Sequence, residues 1–457
     1  MKKHQIILLC TALFIVLFYD EELGLNLGIL GIVYAVLTYF HTRKINQTKT
    51  FLILFSTTLL SAFAFMWYGD APSFIALIAS ALLLTFKSKN KNMKAILTIP
   101  VFIVNGFTFI CRVFRFEKWL PKTNTGKTFQ KLIAFVLIPA FFLILFFAVY
   151  TLGSKNFAGI FNNCELDLDV WQFVVLGGLG FFLAFNYFNF AVEKFFYKQN
   201  RLFDNNFRSD EKIIKPTYDF LDLDFERNGG VITFILLNIL LLFFIATYNY
   251  EQFYQVSKLP HQLSEDTHER VYAVILSIVM AVFVILFYFK SSFNFDEKAG
   301  LLKTFAKIWI VLNGLLVLSA MVKNAEYVLE LGLTYKRLGV FAFLLLCLVG
   351  LFYSFIKIRN QKTNAYLFNV MFWYFYGTIL AASFVNWGNI ATVYNIKRQK
   401  GDFYFLNSLN FNDEILFEKF PNEVKKTSKE NSIDFEQNKR FLSRILYYQN
   451  INLNKTK

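Results

Sequence analysis

Apolar residues run through this chain in long unbroken blocks, not in the alternating or three-and-four pattern of a half-buried element. Runs of about 17–25 apolar residues are long enough to cross a membrane as helices. Runs near that length recur at about 5–19, 23–40, 51–69, 71–86, 95–111, 132–152, 170–192, 230–248, 271–289, 304–322, 336–356 and 366–386. Backbone groups in lipid find partners only within their own element, so each span is predicted to be helical. A transmembrane barrel would alternate polar and apolar residues, and these blocks are apolar throughout. The expected fold is all-α: a polytopic transmembrane helical bundle with a small helical soluble tail.

The polar segments between the blocks set the orientation, because loops rich in Lys and Arg stay on the cytoplasmic side. Lys2 and Lys3 place the N-terminus inside, the acidic turn at 20–22 outside, "HTRKINQTKT" inside, "GDAP" outside and "KSKNKNMK" inside. The segment after 95–111 carries Arg112, Arg115, Lys118, Lys122, Lys127 and Lys131 against one Glu, so it belongs inside as well. The alternation is restored if 95–118 does not cross. Pro100 and Asn105-Gly106 weaken a helix there. Arg112, Arg115 and Lys118 recur every third residue, as on an interfacial or re-entrant helix. Failure of one of the short early blocks to span is the other repair. The later loops then alternate, which gives about 11 spans (10–12), a cytoplasmic N-terminus and an outer tail.

Loop length and polarity divide the chain into an N-terminal membrane segment at 1–131, a main bundle at 132–388 and a soluble helical tail at 389–457. Two or three amphipathic helices are predicted in the tail. In "SIDFEQNKRFLSRILYY", Ile433, Phe441, Ile445 and Leu446 lie near one helical face, with Ser432 or Asp434 as a possible N-cap.

Composition agrees with the pattern. Of the 457 residues, 56% are hydrophobic and 17% charged, against about 25% charged in a typical soluble chain. The 59 Phe residues fit a low-GC coding sequence as well as a membrane, so no function is read from them. The net charge of +15 sits mostly in short loops, which argues for membrane orientation and against nucleic acid as a partner. Cys10, Cys111 and Cys347 lie in apolar runs and Cys164 in a loop, with no CxxC spacing, so neither a disulfide framework nor a zinc ribbon is indicated. The N-terminus is similar to a signal peptide but has no small-residue cleavage site, and it reads as an uncleaved first span. P-loop, GxSxG, HExxH and Rossmann patterns are missing, and "GGLG" lies inside an apolar span. No cofactor is expected, and an enzyme is the less favoured reading.

Three stretches carry most of the specific signal: "THERVYAVI" at 267–275, "GLTYKR" at 332–337, and "NWGNIATVYNIKR" at 386–398 with Asp402 beyond it. Together they resemble a family of uncharacterised bacterial multi-pass membrane proteins, a domain of unknown function. The resemblance covers about 165–410, while the first 130 residues match only as apolar runs. It implies a multi-pass protein of the bacterial cytoplasmic membrane and no activity, cofactor or catalytic residue.

Under the predicted topology these stretches meet at the outer face. "HQLSEDTHER" brings His261, Glu265, Asp266, His268, Glu269 and Arg270. "EYVLELGLTYKR" brings Glu326, Glu330, Lys336 and Arg337, and the third stretch brings Asn386, Asn395 and Asp402. Arg can grip a carboxylate or phosphate with two bonds, so the cluster fits a polar or anionic ligand. The same residues fit a structural network that fixes helix ends, with Lys336 and Arg337 paired to Glu326, Glu330 or Asp402. His261, Glu265, His268 and Glu269 share a face if helical, but Pro260 argues against one continuous helix, and no metal is expected.

Lys307 lies one turn inside its span and is expected to snorkel to the interface. Asn186, Asn189, Asn238, Asn313 and Asn369 are expected to bond between helices. Gly24, Gly28, Gly31, Gly177, Gly178 and Gly180 are expected at close helix contacts. The lipid bilayer is the expected partner, with a small polar ligand or a membrane protein beside it. A non-enzymatic binding, sensing or scaffolding module is the favoured role. A transporter of a small polar or anionic solute, or an enzyme on a lipid-linked substrate, is the alternative.

Overall fold

The computed structural model describes residues 2–120, 169–217, 220–254 and 260–453, with isolated positions between 121 and 168. The side chains of 252–271 lie outside the described residues. Among the described residues every regular element is helical, and the β contact is an isolated bridge between Asn206 and Lys362. Seven helices are long and apolar enough to cross a membrane, and shorter apolar helices occupy Lys3–Phe18, Leu25–His41, Ala95–Phe107 and Tyr272–Tyr288. They fall on the apolar blocks of the sequence, except that most of 132–152 lies outside the described residues. The chain forms two compact units. They divide near 193/194, a different cut from 131/132 and 388/389, because contacts group elements that composition separates.

The first unit comprises Met1–Asn92, Thr98–Glu193 and Ile433–Asn450. It contains α1 (Lys3–Phe18), α2 (Leu25–His41), α3 (Lys49–Tyr68), α4 (Ala71–Lys89), α5 (Thr98–Phe107), α6 (Phe109–Val113) and α7 (Val170–Phe188). Short polar side chains start these helices: Thr48 accepts from the Phe51 N–H, Asp70 from Ser73, and Asp169 from Trp171 and Gln172. Each satisfies an N–H that has no partner within the helix. α1 packs along α7, and α2 along α3. Ile7, Cys10, Phe14, Phe185 and Phe188 are buried together in this core. At Gly28 a Cβ would collide with Met66, so the α2–α3 approach needs the glycine, whereas a Cβ on Gly178 would meet nothing.

The apolar block at 95–118 is not one helix. A 3₁₀ turn at Ala95–Leu97 leads into α5, Thr108 breaks the chain, and α6 follows. Pro100 stands in the first turn of α5, where its missing N–H costs nothing. The ten residues of α5 measure about 15 Å, half the hydrocarbon thickness. The basic residues do not share a face: Arg112 is buried, while Arg115 and Lys118 are exposed.

The end of the tail folds onto this unit. The Leu25 N–H donates to the Arg444 carbonyl at 3.1 Å, the Glu22 N–H donates to Ser443 Oγ at 2.8 Å, and Lys439 pairs with Glu22 at 2.9 Å. The single amphipathic helix expected from "SIDFEQNKRFLSRILYY" is broken: a helix ends at Asn438, and a 3₁₀ turn at Phe441–Ser443 precedes Leu446–Gln449. Ile433 and Ile445 are buried as expected, but Phe441 is exposed.

The second unit comprises Met93–Leu97, Lys194–Ser432 and Ile451–Lys457. Its bundle is built from α8 (Lys194–Leu202), α9 (Leu223–Tyr254), α10 (Pro260–Tyr288), α11 (Gly300–Leu331), α12 (Tyr335–Arg359) and α13 (Asn364–Phe384). Pro260 does not interrupt α10: it is the first residue, where its fixed φ is tolerated. α11 is the central helix, packed against α9, α10 and α12. Phe234, Ile285, Leu302, Leu316 and Leu344 are buried in the core. On α9, Leu236, Ile239, Leu240 and Phe243 are exposed. A helix apolar on both faces is what a lipid-facing bundle presents.

Candidate functional site

The helices of the second unit run up and down, so their ends collect at two places. At one, the Gly332–Thr334 turn joins α11 to α12, and Val385–Asn386 joins α13 to α14 (Trp387–Lys397). The tail continues there as α15 (Phe403–Asn407), α16 (Asp413–Lys419) and α17 (Pro421–Val424). Leu333, Ala391, Leu406, Leu416 and Val424 form a small apolar core under this layer.

Of the seven expected polar residues whose side chains are described, four bond to backbone. Asn395 is fully buried, and its amide meets Leu333 from both sides: Oδ1 accepts from the Leu333 N–H at 2.6 Å and Nδ2 donates to the Leu333 carbonyl at 2.8 Å. Arg337 donates to the Gly332 carbonyl and lies 4.1 Å above the Tyr327 ring. Its N–H is capped by Thr334, and its carbonyl accepts from Asn324 at 3.1 Å. Asn386 caps α14 through the Asn389 N–H and donates to the Phe411 carbonyl at 2.9 Å. Asp402 caps α15 by accepting from the Phe405 N–H.

These bonds bring Arg337, Asn395 and the Gly332 turn together. Asn386 is tied to the 411 turn, and Asp402 stays at its own helix start. The expected ion pairs are not made: among the described residues neither Lys336 nor Arg337 bridges to Glu326, Glu330 or Asp402. Glu326 pairs with Lys323 at 3.5 Å instead, and Glu330 and Lys336 are exposed. The Arg337 guanidinium is instead occupied by the Gly332 carbonyl and the Tyr327 ring. His268, Glu269 and Arg270 lie on α10, with side chains outside the described residues. The same holds for His261, Glu265 and Asp266.

The opposite end of this unit holds a cleft of about 650 Å³. Its walls include Arg201, Lys215, Lys290, Ser292, Thr363 and Asn364, with Asp204, Asp210 and Glu211 among the acids. The walls are fixed by backbone bonds. Ser292 Oγ donates to the Lys215 carbonyl at 2.6 Å, Thr363 Oγ1 to the Asp204 carbonyl at 2.6 Å, and Asn369 Nδ2 to the Phe203 carbonyl at 2.8 Å. Arg227 holds the start of α9 to Asp296 at 2.7 Å. Lys357, fully buried, donates to the Phe289 carbonyl at the end of α10 at 2.6 Å.

Sequence reading missed this cleft and Lys357. The long polar loop at 193–229 marks the region, but only folding brings 201–217, 290–292 and 363–365 together. Lys307, the expected membrane cation, lies half-buried beside the Phe355 ring at 5.8 Å. Of the asparagines, Asn238 bonds between helices to the Phe305 carbonyl at 3.1 Å, whereas Asn313 bonds within its own helix to Trp309. Among the described residues no group of His, Cys, Asp and Glu could hold a metal ion.

No curated protein and no solved structure matches the chain. A family described as a domain of unknown function matches residues 8–414, so the likeness reaches into the N-terminal blocks expected to match only as apolar runs. With nearly the whole sequence under that match, the chain belongs to the DUF4153 family.

Proposed function

We propose that this chain is a multi-pass protein of a bacterial cytoplasmic membrane, with about 11 spans, a cytoplasmic N-terminus and an outer tail. We propose further that it works as a non-enzymatic scaffolding and binding module. The observation that carries this reading is the use of the polar groups around the Gly332 turn. Asn395, Arg337 and Asn386 are committed to backbone carbonyls and N–H groups, which holds the α11–α12 turn and the tail layer as one surface. Side chains bonded to the backbone of helix ends hold those ends in place, which supports the platform reading.

A deletion strain profiled for transport, envelope stress and lipid composition supplies the phenotype. Asn395→Ala and Arg337→Ala are then expected to lower membrane abundance and lose the phenotype together. Normal abundance with a lost phenotype for Arg337→Ala would sink the platform reading and support a ligand site at the arginine.

The cleft at the other end favours a second reading, binding of a small polar or anionic solute on the inner side. Its volume of about 650 Å³ lies in the range of small-molecule sites.

A further inference from the structure

In the second unit, the short helix α8 carries its charge on one stripe. Lys194, Lys198 and Arg201 stand at i, i+4 and i+7, one above the other on a helical face, and all three are exposed. Phe195 and Leu202 each follow one residue behind a member of that stripe, so an apolar edge runs beside the cations. They are 61% and 65% exposed. The opposite side packs inward: Phe196 is buried, and Asn200 Oδ1 accepts from the Lys94 N–H at 2.8 Å. The helix thus buries one large apolar side chain and presents two others beside three cations on a face that the unit leaves uncovered.

No acid answers the stripe. Asp204, the first carboxylate after the helix, pairs with Lys94 and with Arg208, each at 3.7 Å. Among the described residues no ion pair reaches Lys194, Lys198 or Arg201. The C-terminal end of α8 also has a fixed depth. Just beyond it, the Phe203 carbonyl accepts from Asn369 Nδ2 at 2.8 Å, and the Asp204 carbonyl from Thr363 Oγ1 at 2.6 Å. Thr363 caps α13, which begins at Asn364, and Asn369 lies about 8 Å along it at 1.5 Å per residue. α13 is long and apolar enough to cross a membrane. The end of α8 is therefore level with the first turns of a crossing helix, at the depth of lipid headgroups.

We propose that α8 is an interfacial helix whose outward face binds anionic phospholipid: Lys194, Lys198 and Arg201 meet headgroup phosphates, and Phe195 and Leu202 lie among the upper acyl chains. Charge complementarity and depth select this occupant, because unpaired cations beside large apolar side chains match an anionic membrane surface. The proposal rests on the membrane reading above.

The test is native mass spectrometry of the full chain in detergent, with phosphatidylglycerol and phosphatidylcholine of the same acyl chains. Phosphatidylglycerol is expected to be retained in preference. Lys194→Gln with Lys198→Gln is expected to reduce its retention roughly 25-fold, about fivefold per lysine near an anionic surface. Both side chains are exposed, so the melting temperature is expected to stay unchanged. Arg201 also borders the cleft and is left in place. Lys425→Gln with Lys426→Gln, at two exposed lysines of the tail, is expected to leave retention as it is. Equal retention of the two lipids, the same loss in both double variants, or displacement by inorganic phosphate overturns the lipid surface. So does loss of a dimer with lipid retention unchanged, which would give the face to a second copy of the chain. Alkaline carbonate extraction separates the two readings. Protein that stays in the pellet but shows no lipid preference loses the lipid surface and keeps the membrane reading, whereas release into the supernatant overturns both.

Discussion

Gly332 has φ +85 and ψ 175, a backbone region that residues with a Cβ scarcely visit. A Cβ there would also lie 2.5 Å from Asn395 Oδ1. Gly332→Ala is therefore expected to destabilise the protein by about 1–3 kcal/mol, read as a lower melting temperature in detergent. An unchanged transition would show that the turn relaxes freely. The glycine, Thr334 and Arg337 stood out in the sequence as a motif, but their partners did not. Asn395 is 62 residues from Leu333, and nothing in local spacing specifies that pairing. Lys357 was hidden for a similar reason. It closes an apolar run beside Arg359, so it reads as an inner-loop cation, yet packing drives its stem inward and makes it a cap on another helix.

Helices were the most legible level, because an unbroken apolar run needs only its own backbone bonds to be helical. Breaks were legible where chemistry marks them. Asn105-Gly106 and Pro100 announced the interruption at 95–118, although the actual break falls at Thr108. The tail was less legible, since short amphipathic helices take their limits from what they pack against. Its terminal segment docks through Lys439. Partial burial works against that ammonium, but hydrogen bonds to Glu436 and Glu22 outweigh it and hold the pKa above the ordinary lysine value. A raised lysine pKa contributes stability that is complete below the unfolded value, near 10.4, and is lost as pH rises through the folded value. Protease release of the tail from detergent-solubilised protein is thus expected to be flat from neutral pH to about 9 and to increase only in strong alkali. Lys439→Gln should release more at every pH below that. Identical profiles for variant and wild type would show that the ion pairs do not hold the tail.

For the whole molecule, reporter fusions test the orientation. A fusion at residue 120 is expected to report the cytoplasm, and one at the C-terminus the outer side. A cytoplasmic C-terminus would mean an even number of spans and, if the later spans shift with the tail, would reverse the side proposed for the Gly332 turn. The sequence by itself determined the all-helical architecture, the apolar blocks and an interruption within 95–118, because these depend on local hydropathy and backbone hydrogen bonding, and the family match runs over residues 8–414 of that same sequence. The tertiary structure alone decided how the chain divides into two units, with the tail shared between them. It also decided which polar residues are consumed by backbone bonds and which ones line the cleft. The physical reason is that burial and hydrogen-bond partners are properties of segments brought together from far apart. Asn395 reads in sequence as one polar residue among many, and only the fold turns it into the bracket that holds Leu333.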